Sequence, residues 1–230
     1  GYGYGYGGNY ENFYDPDKYQ QIFGVSLGWG KRLRWPDDYF TLSAELSYTR
    51  YMMKDWNYFS LMTNGNCNNL ALRFTLSRNS TDNQIFPRRG SEIQLSVAFT
   101  PPYSLWDGKD YANLANNPSS STYMRELQDK YSWIEYHKWK FKARTFTALS
   151  GHNKCFVLMT RAEIGLLGSY NKHKPSPFEN YYMGGDGTSG YSSLYSTETI
   201  GLRGYDNGSI TPPGNMGYAY TRFSVELRYP

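Results

Sequence analysis

The sequence predicts an all-β protein, an antiparallel transmembrane β-barrel segment with long extracellular loops. Three observations predict it. Apolar and polar residues alternate with a period of two in about seven stretches, and helical periodicity does not recur. The links between the stretches are short at one end and long at the other, as in a barrel with turns on one side of a membrane and loops on the other. Aromatic residues make up 18% of the 230 residues and charged residues 19%, with 24 Tyr and 6 Trp, the types that favour a membrane interface. A mean hydropathy of −0.70 and the lack of a long apolar run exclude a transmembrane helix, which needs ~20 mostly apolar residues. They do not exclude a barrel, where only every second residue meets lipid.

The stretches come in order. Residues 22–31 set Phe23, Val25, Leu27 and Trp29 against Gly24, Ser26, Gly28 and Gly30. Residues 40–49 set Phe40, Leu42, Ala44, Leu46 and Tyr48 against Thr41, Ser43, Glu45, Ser47 and Thr49. Residues 70–77 and 91–99 repeat the pattern with Leu70, Leu72, Phe74 and Leu76, then Ile93, Leu95, Val97 and Phe99. Residues 138–145 place Lys138, Lys140, Lys142 and Arg144 on one face and Trp139, Phe141 and Ala143 on the other. Residues 156–166 oppose Leu158, Ala162, Ile164 and Leu166 to Arg161 and Glu163. Residues 217–229 oppose Phe223, Val225 and Leu227 to Arg222, Glu226 and Arg228. One face of each strand is therefore read as lipid-facing and the other as lining a polar lumen.

Tight links fall at 35–38 and 150–154, a moderate one at 78–90, and long polar ones at 52–69, 101–135 and 169–216. Three such long loops would be unusual in a compact soluble domain. Cys67 then belongs to the loop end and Cys155 to the turn end. An apolar band of ~25 Å separates the two ends, and a disulfide needs Cα atoms within ~7 Å, so both thiols are expected free. Reagents confined to the outside are expected to reach Cys67 and not Cys155.

Seven strands do not close a membrane sheet well, and bacterial barrels use an even number of strands. Residues 1–230 are therefore expected to be the middle part of a larger barrel domain, with the Tyr/Gly-rich opening as loop or rim. Nothing in the sequence points to catalysis, a metal or a cofactor. His137, His152 and His173 lack ligand spacing, and the Gly-x-Gly-x-x-Gly matches at 3–8 and 185–190 do not lie between a strand and an amphipathic helix. The net charge of +4 is too small and scattered for nucleic acid. The Lys138/Lys140/Lys142/Arg144 ladder reads first as a solvated lumen wall paired with acidic groups on adjacent strands. An anion-selective pore lining is the sharper reading.

The longest link contains Pro177-Phe178-Glu179-Asn180-Tyr181-Tyr182-Met183-Gly184-Gly185 and then Ile200-Gly201-Leu202-Arg203-Gly204-Tyr205. With Ile85-Phe86-Pro87-Arg88-Arg89-Gly90-Ser91 before it and Ser224-Val225-Glu226-Leu227 after it, this segment resembles the BamA family of outer-membrane protein assembly factors. The anchors run from about residue 85 to 227. The resemblance implies roughly strands six to twelve of a sixteen-stranded barrel, with the POTRA domains and the first and last strands outside this chain. It implies a non-enzymatic insertase that folds and inserts β-barrel proteins in the bacterial outer membrane. The implied partners are outer-membrane lipids, nascent outer-membrane proteins and accessory lipoproteins of the assembly machine. It also implies that loop 169–216 folds into the lumen, with Arg203, Gly204 and Tyr205 at its tip, Gly184 and Gly185 at its turns, and Arg203 reaching Glu226. A two-partner-secretion translocator of the same superfamily and a passive anion-preferring porin are the alternatives.

Overall fold

The computed structural model describes residues 17–55, 62–151, 155–186, 198–212 and 217–229. The opening Tyr/Gly run, His152 and residues 187–190 of the second glycine motif lie outside them. Seven long strands form one sheet: β1 (Tyr19–Arg32), β2 (Phe40–Lys54), β3 (Gly65–Asn79), β4 (Gly90–Phe99), β5 (His137–Ala148), β6 (Val157–Gly168) and β9 (Ala219–Arg228). They follow the order β1-β2-β3-β4-β5-β6-β9, so the sheet is an open part of a barrel. Every neighbouring pair is antiparallel and keeps one register from end to end, from Tyr19↔Lys54 through Arg32↔Thr41 in the first pair to Val157↔Arg228 through Leu166↔Ala219 in the last. A constant register matters because a slip of one residue would turn every side chain to the opposite face.

The two faces differ as the alternation predicts. Leu27, Trp29, Leu46, Phe74, Leu95, Trp139, Phe141, Leu166, Phe223 and Val225 are exposed on the outer face. An apolar surface that continuous marks a membrane-contacting or interaction face. The strands, of 10 to 15 residues, meet or exceed the ~9–11 residues a tilted strand needs to cross a bilayer. No described helix is long and apolar enough to cross a membrane.

Short turns join the strands at one end. In the β3–β4 turn, Asp82 accepts backbone N–H bonds from Arg88 at 2.9 Å and Arg89 at 3.2 Å. These hold its carboxyl below the usual carboxylate range. At the opposite end the long links build the buried core. Two helices, α1 (Tyr103–Trp106) and α2 (Tyr123–Tyr131), lie in the link read from the sequence as a long polar loop. The period-3.6 signal was present but short: Tyr123, Leu127 and Tyr131 share one face, with Glu126 in the first turn and Lys130 in the last, as the helix dipole favours. Leu127 and Tyr131 pack into one cluster with Tyr51, Met62, Cys67, Ile134, Tyr136, Phe178 and Tyr181. Segment 132–134 extends the sheet at the top of β3, where Asn68 N donates to Ser132 O and Ile134 N donates to Asn68 O, both at 2.8 Å.

Both cysteines are free. Cys67 lies inside β3, opposite Tyr51, and not in a polar loop; its side chain is completely buried. The labelling expectation is corrected accordingly. A membrane-impermeant maleimide applied to the folded protein should leave Cys67 unmodified and should modify it after heat unfolding, which mass spectrometry reads directly. Rapid labelling of folded protein would contradict this burial.

Candidate functional site

The link between β6 and β9 lies against the concave face of the sheet. Lys138 and Lys140 sit on the inward face of β5 because their period-2 spacing places them there. Lys138 Nζ is 2.9 Å from Glu179 and 3.1 Å from Glu198, and Lys140 pairs with the other oxygen of Glu198. Glu179 and Glu198 both belong to the long link. The partners of the upper ladder therefore come from the loop and not from adjacent strands, as the sequence had suggested. Arg144 does follow the simpler rule: it pairs with Glu92, directly opposite on β4. Lys142 lines the same cavity, of about 650 Å³, without an ion pair among the described residues.

The loop folds on itself before it meets the wall. Short strands β7 (Tyr181–Met183) and β8 (Glu198–Ile200) pair in parallel. Gly184 N donates to Ile200 O, and Gly185 N donates to Tyr205 O, both at 3.0 Å. Leu202 N donates back to Gly185 O at 2.9 Å. Gly184 and Gly185 thus tie the aromatic segment to the tip that carries Arg203, Gly204 and Tyr205. Gly184 has φ +133°, and a Cβ there would run into the Asp206 carbonyl oxygen. Gly184→Ala should therefore cost more than ~1 kcal/mol and expose residues 181–205 to added protease. A loop that resists cleavage as before would contradict the tight approach.

Ring contacts seat the loop against the wall. Tyr51 stacks on Phe178 with centroids 4.4 Å apart, and Tyr181 meets Tyr220 edge-on at 4.7 Å. Tyr181 also exchanges two backbone hydrogen bonds with Gly217, at 2.8 and 3.1 Å. Gly165 on β6 leaves the space that the Tyr181 and Tyr220 rings occupy.

The tip is placed otherwise than the sequence suggested. Arg203, Gly204 and Tyr205 are exposed. Glu226 is held by Arg228, at 2.8 and 3.0 Å, and Arg203 makes no ion pair with it. The arginine that joins loop to wall is Arg222. One of its Nη atoms donates to Glu163 Oε2 at 2.7 Å, and the other donates to the Gly201 carbonyl. Glu163 and Arg222 are register partners on β6 and β9. The sequence carries that signal as two opposite charges on adjacent polar faces. No group of three or more His, Cys, Asp or Glu that could hold a metal occurs among the described residues.

Comparison with known families places this arrangement. The Omp85 superfamily domain matches residues 3–230. The chain belongs to the Omp85 superfamily. Among solved structures, this Omp85 chain is similar to BamA from Haemophilus ducreyi lacking POTRA domains 1–3, with a TM-score of 0.60 and 18% identity. The match covers 91% of this chain and 37% of that one, so the Omp85 segment described here spans little more than a third of that structure. At that identity the likeness is one of fold. No curated protein matches the chain.

Proposed function

We propose that this Omp85 chain is the wall-and-loop part of a BamA-like insertase, which folds and inserts β-barrel proteins into the bacterial outer membrane without enzymatic chemistry. The observation that carries this reading is the long loop seated against the concave face of the sheet, held by Lys138 and Lys140 through Glu179 and Glu198 and by Arg222 through Gly201. A loop fixed there braces the wall and fills space that a passive pore would leave open. The pairing also neutralises two of the ladder's four cations, which weakens the case for an anion-selective channel. On this reading the partners are outer-membrane lipids, unfolded barrel clients and accessory lipoproteins.

The test uses the full-length protein reconstituted in lipid vesicles with a urea-denatured outer-membrane barrel as client. The insertase reading expects faster appearance of heat-resistant, folded client, without added nucleotide. Export of one dedicated secreted protein, with no acceleration of client folding, would favour the two-partner-secretion translocator. A large, steady anion-selective current with no effect on clients would favour the porin.

A further inference from the structure

The link between β4 and β5 holds a second cavity, away from the lumen, of about 350 Å³. That is the lower end of the size range of small-molecule sites. Tyr103, Trp106 and Trp133 supply aromatic faces to it. The Tyr103 and Trp133 rings lie 5.1 Å apart, tilted by 39°, and Trp106 is 70% exposed. The polar groups around these rings are under-used. Lys174 is only 3% exposed, yet its ammonium makes no hydrogen bond within the cavity wall. It forms a long ion pair with a Glu135 oxygen at 4.0 Å and lies over the face of the Tyr111 ring at 4.8 Å. An ammonium carries three donors, so Lys174 can still donate to a ligand beside its Glu135 and Tyr111 contacts. The Tyr103 hydroxyl is buried without a partner. Asp129, at the cavity edge, is exposed and has no ion pair among the described residues.

We propose that this cavity binds a saccharide. A pyranose presents a face of C–H groups with partial positive charge, which complements the negative face of an indole or phenol ring. Its hydroxyls both donate and accept. They supply acceptors to Lys174 and Tyr103 and donors to Asp129, so each idle group around the aromatic floor gains a partner. An acyl chain would satisfy the rings but offer nothing to the Lys174 ammonium or to the Asp129 carboxylate at the edge. The cavity lies at the same end of the sheet as the other long links, so the sugar comes from the outer surface. It belongs either to a glycolipid headgroup or to a free surface polysaccharide. This inference stands whether or not the chain serves an insertase.

The test measures tryptophan fluorescence of the full-length protein in detergent micelles against two probes. One is the core oligosaccharide released from lipopolysaccharide by mild acid, and the other is purified capsular polysaccharide. Saturable binding of either is expected, weakened at least tenfold by Trp106→Ala and by Asp129→Asn, two surface changes that should leave the heat-resistant gel mobility intact. Binding of the core oligosaccharide assigns the glycolipid, and binding of the capsular polymer alone assigns the free polysaccharide. Binding of neither, or binding indifferent to both variants, overturns the proposal. So does a Trp106→Ala defect confined to phosphatidylethanolamine vesicles that carry no sugar, which would make this face a lipid anchor.

Discussion

Lys138→Met should lower the stability of the barrel by ~3 kcal/mol and release the long loop. The Lys138 side chain is 8% exposed, and its two partners, Glu179 at 17% and Glu198 at 28%, come from separate segments of the loop. One cation therefore cross-links both segments to β5. Breaking a buried pair by removing one member costs ~3–5 kcal/mol, because the charge left behind is desolvated and unpaired. The lower end applies here because Glu198 keeps Lys140. The readouts are the temperature at which the protein loses its compact gel mobility and the rate of proteolysis within 169–216. Lys142→Met is the internal control: it removes a cation from the same cavity that has no ion pair among the described residues. Equal behaviour of the two variants would show that charge does not hold the loop. A Lys138→Met/Glu179→Gln double variant should be less damaged than the sum of its singles, since the groups touch.

The wall was legible in the sequence and the seat of the loop largely was not. Trp139 and Phe141 could be assigned to lipid, and Lys138 and Lys140 to the lumen, because a strand has only two faces and the membrane separates them chemically. The partners of Lys138 and Lys140 come instead from Glu179 and Glu198, whose places depend on how a long loop refolds on itself through β7 and β8. No periodicity encodes that. Helix α2 is faint in the sequence because its short apolar face of Tyr123, Leu127 and Tyr131 sits within a polar composition. The polar run from Asn64 to Asn69 around Cys67 has the composition of a loop, yet from Gly65 on it is strand. The strand holds there because backbone groups of 132–134 and the Gln128 side chain, which pairs with both backbone groups of Asn66, complete its hydrogen bonding.

The second large effect separates two candidate clasps. Glu163→Gln and Arg222→Met should each destabilise the barrel by ~3 kcal/mol, and a double-mutant cycle between them should return a coupling of ~1–3 kcal/mol. Glu163 has 7% of its side chain exposed and Arg222 has 15%, and their bond is charge-assisted at 2.7 Å. Glu163→Gln should be the worse of the two. It leaves Arg222 beside Arg161, whose charge it already feels, while Arg222→Met leaves Glu163 opposite Lys142 on β5. The same cycle between Arg203 and Glu226 should give no coupling beyond ~0.5 kcal/mol, because Glu226 is satisfied by Arg228, and Arg203 is exposed and acts on Glu226 without forming an ion pair. If the Arg203–Glu226 cycle couples strongly and the Arg222–Glu163 cycle does not, the loop is held by its tip and this account of the clasp fails. If the predicted order holds, the wall grips the loop at the Gly201 carbonyl, two residues before Arg203. The exposed tip is then free to meet something else while the loop stays seated.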